Sequence, residues 1–320
     1  MPTVSFNMRP VRGPWGGSSQ FVSLMSAFLS RRGYRVCYDL RRPVDAIILI
    51  DPREDNPSKR YGLPAIRDYK ALHPRTVVLH RINECDQRKG TDFMDRMLTD
   101  ANRLADYTVF ISSWLRDYHA ARWFDAAKPH CPVYNGADPA VFHPFGSVAF
   151  DPAAPMRIVT HHWSDNPLKG FDVYQQVDEL IARGELPGFE LRVIGRWPPG
   201  IAWKAAKTFP PAHGHRLAEQ LRQCHMYLTA SRWEPCGMHH VEGAQCGLPL
   251  VYHEDGGGIV EAGLKYGIGF RDNVKKVLLA ARDNYAALRA AVLENMPDGD
   301  RMCLEYEKAV RKILVPTLGG

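Results

Sequence analysis

The sequence lacks a long apolar run. Nothing in its 320 residues approaches the roughly 18 consecutive apolar side chains of a membrane-crossing helix. It also lacks a Cys-x-x-Cys pair. The seven cysteines, Cys37, Cys85, Cys131, Cys224, Cys236, Cys246 and Cys303, are scattered and odd in number. That pattern argues against a disulfide framework or a zinc site and for a reducing cytoplasm. Met1 to Pro14 has no apolar core of a signal peptide. No tail concentrates the net charge of +6, so nucleic acid is not indicated as a partner. A spread positive charge suits anionic substrates or an anionic membrane surface. Low-complexity segments and readable internal repeats are missing too. What is present, 45% hydrophobic and 24% charged residues, is the composition of a globular protein long enough for two ordinary domains.

Short apolar runs alternate with helical stripes along the chain, the pattern of an α/β protein. Val4-Ser5-Phe6 predicts a first strand. After it, Gly16 and Gly17 let backbone approach a ligand closely, and Ser18 can cap the next helix. Phe21, Leu24, Met25, Phe28 and Leu29 give that helix a core-facing stripe. Further strands are predicted at 34–40, 45–50, 76–80 and 107–112. His80 then stands at a strand's carboxyl end, and the charged stretch Arg81 to Lys89 reads as a loop. Pro and Gly density over 144–155 marks a linker. The rhythm restarts with a strand at 156–161, a loop holding Lys169-Gly170, a helix, and a strand at 191–195 followed by Arg196. Two helices, from Asp272 and from Asp300, close the chain. The expected divisions are 1–150, 151–299 and a last helix at 300–320 packing back on the first domain.

The densest signal is Ser231-Arg232-Trp233-Glu234-Pro235-Cys236-Gly237-Met238-His239-His240-Val241-Glu242. An apolar run, Met226 to Ala230, precedes it. A short helix, a stop at Gly247 and a strand, Leu248 to Tyr252, follow. The loop therefore lies at the carboxyl end of a strand, where open α/β sheets bind ligands. Free N–H groups at the helix start near Gly237 suit a phosphate. Glu234 in the loop and Glu242 just over one turn into the helix can reach hydroxyls on either side of it. Asp255-Gly256-Gly257-Gly258 is the most glycine-dense loop. His161-His162 and His239-His240 tempt a zinc reading, but adjacent side chains diverge on a helix and no Cys/His spacing completes a site.

The Glu-to-Glu spacing, with Pro235, Gly237 and the run Gly243-Ala244-Gln245-Cys246-Gly247-Leu248-Pro249, resembles the retaining glycosyltransferases of family 4. Their pattern is roughly E-P-F-G-x-x-x-x-E-A-M-A-C-G-x-P-V-V, and Cys236 replaces the usual aromatic. Val133-Tyr134-Asn135-Gly136 through Pro144 and Lys169-Gly170 are similar to further passages of that family. The resemblance implies the GT-B fold, two Rossmann-like domains facing across a cleft. It implies transfer of a sugar from a nucleotide diphosphate-sugar donor to an acceptor hydroxyl with retention. Lys169 and the N–H groups at Gly237 and Met238 would neutralise the diphosphate, Glu242 would hold the ribose, and Glu234 the donor sugar. His80 would contact that sugar, the alternative being an ordinary structural histidine. Gly16 and Gly17 would approach the phosphates and acceptor. Relatives carry an arginine where Ser164 stands; Arg196 could compensate or be a solvated surface arginine. No metal or cofactor is implied. The acceptor, whether glycan, lipid-linked glycan or small molecule, stays open, as does a peripheral membrane contact. An epimerase, a phosphorylase or a non-catalytic nucleotide-sugar sensor are the alternatives on the same fold.

Overall fold

The computed structural model describes residues 1–11, 13 and 17–318, with the side chains of 315–318 left out. Two compact units emerge: 1–134 with 299–320, and 135–298.

The first unit opens with β1 (Thr3–Phe6), α1 (Gly17–Arg31), β2 (Arg35–Cys37), β3 (Ala46–Leu49), α2 (Leu63–Leu72) and β4 (Val77–Ile82). It continues through α3 (Asp86–Lys89), α4 (Met94–Asn102), β5 (Tyr107–Phe110), α5 (Ser113–Ala120) and β6 (His130–Pro132). Among the described residues its strands form one six-stranded parallel sheet, in the order β2-β1-β3-β4-β5-β6. Strands such as Ala46-Ile47-Ile48-Leu49 are fully buried because helices cover both faces of a parallel sheet. That is why they read as continuous apolar runs rather than alternating ones.

The second unit holds β7 (Met156–His162), a 3₁₀ turn (Pro167–Lys169), α6 (Phe171–Ala182), β8 (Phe189–Gly195), β9 (Lys207–Phe209) and α7 (Gly214–Arg222). Then come β10 (Met226–Thr229), α8 (Met238–Gln245), β11 (Leu250–His253), α9 (Ile259–Tyr266), β12 (Gly267–Phe270), α10 (Val274–Asp283) and α11 (Tyr285–Asn295). Its described strands form a second six-stranded parallel sheet, β12-β11-β10-β7-β8-β9. The order runs outward from β7 one way and from β10 the other. The topological switch point, where such sheets bind ligands, is therefore the boundary between β7 and β10.

The last helix, α12 (Gly299–Leu318), belongs to the first unit. Tyr306 packs its ring 4.7 Å from that of Phe21 on α1. Buried Glu307 accepts hydrogen bonds from Arg32 Nε at 3.0 Å and Arg311 Nη2 at 2.7 Å.

Three expectations differ from the structure. The units divide at Tyr134/Asn135, ahead of the Pro/Gly-rich stretch. Segment 135–142 is bound into the second unit by side chains: Asn135 Nδ2 donates to Cys236 O (2.8 Å), and Gln245 bonds Ala137 and Phe142. Residues 285–295 form a separate helix, where the sequence predicted a single helix from Asp272 before the last one. The third concerns β4. Arg81 and Ile82 continue the strand, pairing with Val109 and Phe110. Arg81 is buried with its guanidinium 4.3 Å from the centre of the Phe21 ring. A charged residue read from sequence as the start of a loop is here part of the ladder.

Candidate active site

Both loops at the switch point contribute. After β7, Asn166 Oδ1 accepts from Leu168 N and closes the 3₁₀ turn that ends in Lys169. Gly170 follows with φ +82°, and a Cβ there would lie 2.2 Å from Ala230 O. The turn can thus press against the end of β10 only with glycine at this position, which brings Lys169 over to the next strand's loop. Gly170→Ala is expected to destabilise the second unit by about 2–4 kcal/mol, from left-handed strain plus overpacking. A thermal midpoint within a degree of wild type would refute that account of the Lys-Gly pair.

After β10 the chain turns through Trp233 at φ +52°, a left-handed conformation costing a bulky residue on the order of 1–2 kcal/mol. The glycine-rich loop holds it there. Trp233 N donates to Asp255 O at 2.8 Å, Gly258 N donates to Glu234 O at 2.9 Å, and Glu234 bridges to Gly257. The backbone on both sides of Glu234 is therefore fixed. Its Oε2 accepts from Lys169 Nζ at 2.8 Å, with the two side chains only 14% and 12% exposed.

Helix α8 begins immediately beyond. Gly237 is its cap residue and no side chain caps the first turn, so the helix presents its start at Met238. A Cβ at Gly237 would lie 2.4 Å from His239 Cε1, because the His239 ring folds back beneath the helix start, 3.1 Å from Thr229 Oγ1. Burial holds the His239 imidazole well below its usual pKa and brings that of His240 down to about 3. Both rings are neutral at pH 7. The positive character of this corner comes from the Lys169 ammonium and the helix N-terminus.

Glu242 is buried within α8, its Oε2 2.8 Å from His161 Nε2, each side chain 1% exposed. The carboxylate expected to reach a ligand hydroxyl is thus held by His161 in the ligand-free chain. Gly243 follows because the Tyr227 ring occupies the space: a Cβ would meet Tyr227 Cδ2 at 2.3 Å. His161, His162, His239 and His240 do gather, the His162 and His239 rings 4.9 Å apart. Among the described residues no three His, Cys, Asp or Glu come together to hold a metal ion.

Arg196 lies beyond β8, exposed, with Nη1 donating to Trp163 O at 3.3 Å. It shares a pocket of about 510 Å³ with Trp163, Ser164, Asp165 and Trp197. Ser164 and Arg196 are therefore neighbours in space, although on different loops.

The first unit departs from the sequence expectation at His80. The strand runs on to Ile82, so His80 lies inside the ladder, paired with Leu49 and Thr108. Its ring is fully buried and Nδ1 accepts from Asn102 Nδ2 at 3.2 Å. In the ligand-free chain His80 is a core residue of the ladder, not an exposed strand end. Gly17 opens α1, and Ser18 next to it accepts from Asn83 Nδ2 at 2.9 Å. Gly16 lies outside the described residues.

Sequence reasoning missed Asn135, Gln245 and His161. The first two tie the passage at 135–142 to the loop and helix carrying the paired glutamates, and His161 holds one of those glutamates. All three did stand in motifs noticed for other reasons.

No protein-family model matches the chain, and no curated protein matches it in sequence. Solved structures do match over nearly its whole length. Sucrose-phosphate synthase from Thermosynechococcus elongatus gives a TM-score of 0.67 at 13% identity, covering 99% of this chain and 100% of that one. HepE from Anabaena, in complex with UDP-glucose, gives 0.69 at 13% identity, covering 97% and 99%. WaaG, a glycosyltransferase involved in lipopolysaccharide biosynthesis, gives 0.60 at 13% identity, covering 99% and 100%. At such identities the likeness is one of fold, and the fold is GT-B. No described helix is long and apolar enough to cross a membrane.

Proposed function

We propose that this chain is a glycosyltransferase that moves a sugar from a nucleoside diphosphate donor to an acceptor hydroxyl, with retention at the anomeric carbon. One observation carries the reading. Lys169 and the presented N-terminus of α8 meet at the β7/β10 switch point, with Glu234 bonded to that lysine. A cation and a helix N-terminus converging on one point stabilise a departing diphosphate. Structures of HepE hold UDP or UDP-glucose, and one of the O-GlcNAc transferase GtfA holds UDP and GlcNAc, which makes a UDP-sugar the first donor to test.

The roles follow the chemistry. Lys169 and the N–H groups at Gly237 and Met238 take the diphosphate, so its charge is met without a metal. Arg196 adds a second cation beside Ser164. Glu234 accepts from donor-sugar hydroxyls and Glu242 from the ribose. Gly17 opens α1, the helix that follows β1, and β1 borders the first sheet's own switch point with β3. In the transfer, the bond from the anomeric carbon to the acceptor oxygen forms as the bond to the diphosphate oxygen breaks. The acceptor proton passes to that leaving oxygen on the same face, and no side chain is assigned as base.

The test is a panel of nucleoside diphosphates read by thermal shift. A ligand at 100 times its dissociation constant adds about 2.7 kcal/mol. Incubation with the matching nucleotide sugars, product configuration read by NMR, would then follow. A chain unmoved by every diphosphate in the panel would refute the proposal.

A further inference from the structure

Three elements meet at one buried chain of hydrogen bonds: Tyr227 on β10, His161 on β7 and Glu242 on α8. His161 Nε2 lies 2.8 Å from Glu242 Oε2. Its Nδ1 lies 3.0 Å from the Tyr227 hydroxyl. That same hydroxyl accepts the backbone N–H of His161 at 3.0 Å. An oxygen already accepting from an N–H keeps its own hydrogen to give, and Nδ1 at 3.0 Å is a nearer acceptor than His161 O at 3.4 Å. A neutral ring whose Nδ1 accepts carries its proton on Nε2, and Nε2 then donates to the carboxylate. Burial pushes the Tyr227 phenol well above its ordinary pKa, so the hydroxyl keeps its proton. The tyrosine ring cannot shift, being wedged beneath Gly243. All three side chains are at most 1% exposed, so water does not compete for these bonds and each strengthens the next.

We propose that His161 is the positioning residue for Glu242, fixing through Tyr227 the one carboxylate orientation that serves a nucleotide's ribose hydroxyls. This rests on the assignment of the α8 N-terminus as the nucleotide site. The side chain touches no reacting atom, so its effect must appear as a coupling to the ribose and not as a general loss.

The experiment titrates the full chain calorimetrically with three probes. These are the nucleoside diphosphate giving the largest thermal shift, its 2′,3′-dideoxy counterpart, and inorganic pyrophosphate. His161→Phe is expected to weaken the ribose-bearing ligand about tenfold or more, the weight of a hydrogen bond to a charged group. The other two probes should bind as they do to wild type. His161→Gln, which keeps an N–H donor, should restore part of the loss. Tyr227→Phe keeps the ring beneath Gly243 and should show a smaller loss in the same selective pattern; it carries the test alone if His161→Phe does not fold. Equal losses for all three probes, or none for the ribose-bearing one, would overturn the role of His161. A wild-type chain that binds no nucleoside diphosphate would instead remove the site assignment, and the inference with it.

Discussion

Glu234→Gln is expected to bind a nucleoside diphosphate more tightly than the wild type while transferring sugar about a hundredfold more slowly. The opposite signs come from the ion pair. In the ligand-free chain Lys169 already holds a carboxylate at 2.8 Å, and neither side chain is more than 14% exposed. A diphosphate arriving at α8 must share the ammonium with Glu234, and two anions then face one cation. Removing the carboxylate charge lifts that competition. A nucleoside diphosphate has no transferred sugar, so it loses nothing in exchange. The intact donor does lose, because Glu234 is the acceptor for its sugar hydroxyls, and interactions that strengthen towards the transition state appear chiefly in turnover. Lys169→Ala should act the other way, weakening the diphosphate about 10- to 150-fold and leaving the Glu234 carboxylate at its binding point without the lysine's charge. The double variant should therefore bind better than Lys169→Ala alone, a non-additivity expected of residues in contact. Calorimetric titration and transfer rates on the four proteins decide the matter. Weaker diphosphate binding by Glu234→Gln would show that the carboxylate supports the phosphate site instead of competing with it.

How much of this was legible in the sequence depends on the distance over which each residue's reason acts. The fold class was readable because parallel strands buried on both faces must be apolar throughout, and 46–49, 226–229 and 250–253 are largely so. Glu234, Gly237 and Lys169-Gly170 stood out because their reasons are local, a turn, a helix start and a glycine at a positive φ. His80 was misplaced because Arg81 looked like the end of a strand. The burial of Arg81 over Phe21 is a contact between segments far apart in sequence. The partner of Glu242 is 81 residues away and that of Cys236 is 101, and neither separation leaves a periodicity. The start of α11 at Tyr285, after Asn284, has neither glycine nor proline to announce it. Local rules place the loops of the site, and tertiary packing decides which side chains reach it.

Acidification should unfold this protein well before its carboxylates titrate. Between pH 7 and pH 5 each neutral buried histidine is expected to remove about 2 kcal/mol of stability. His80, His119 and His240 are fully inaccessible and His239 is 5% exposed. Burial lowers the first and third to about 3 and His119 to about 4, and it holds His239 well below the ordinary value. The geometry supplies the reason. His119 Nδ1 accepts from Trp123 Nε1 at 2.8 Å while Nε2 faces Glu84 O at 3.0 Å, so a second ring proton would displace the indole. The sign follows from linkage. The unfolded chain binds these protons as pH falls through about 6.5, and the folded chain does not until about 3–4. Stability is therefore complete above pH 6.5 and declines through the window below it. Asp51 and Asp172, whose pKa values lie below the ordinary carboxylate value, lose their contribution only at lower pH and cannot mask the effect. Urea unfolding at pH 7, 6 and 5 measures the slope, and His80→Leu should flatten it by about 1 kcal/mol per pH unit over that range whatever it costs at pH 7. A stability unchanged between pH 7 and pH 5 would mean that these rings take up protons in the folded state, which the burial described here does not permit.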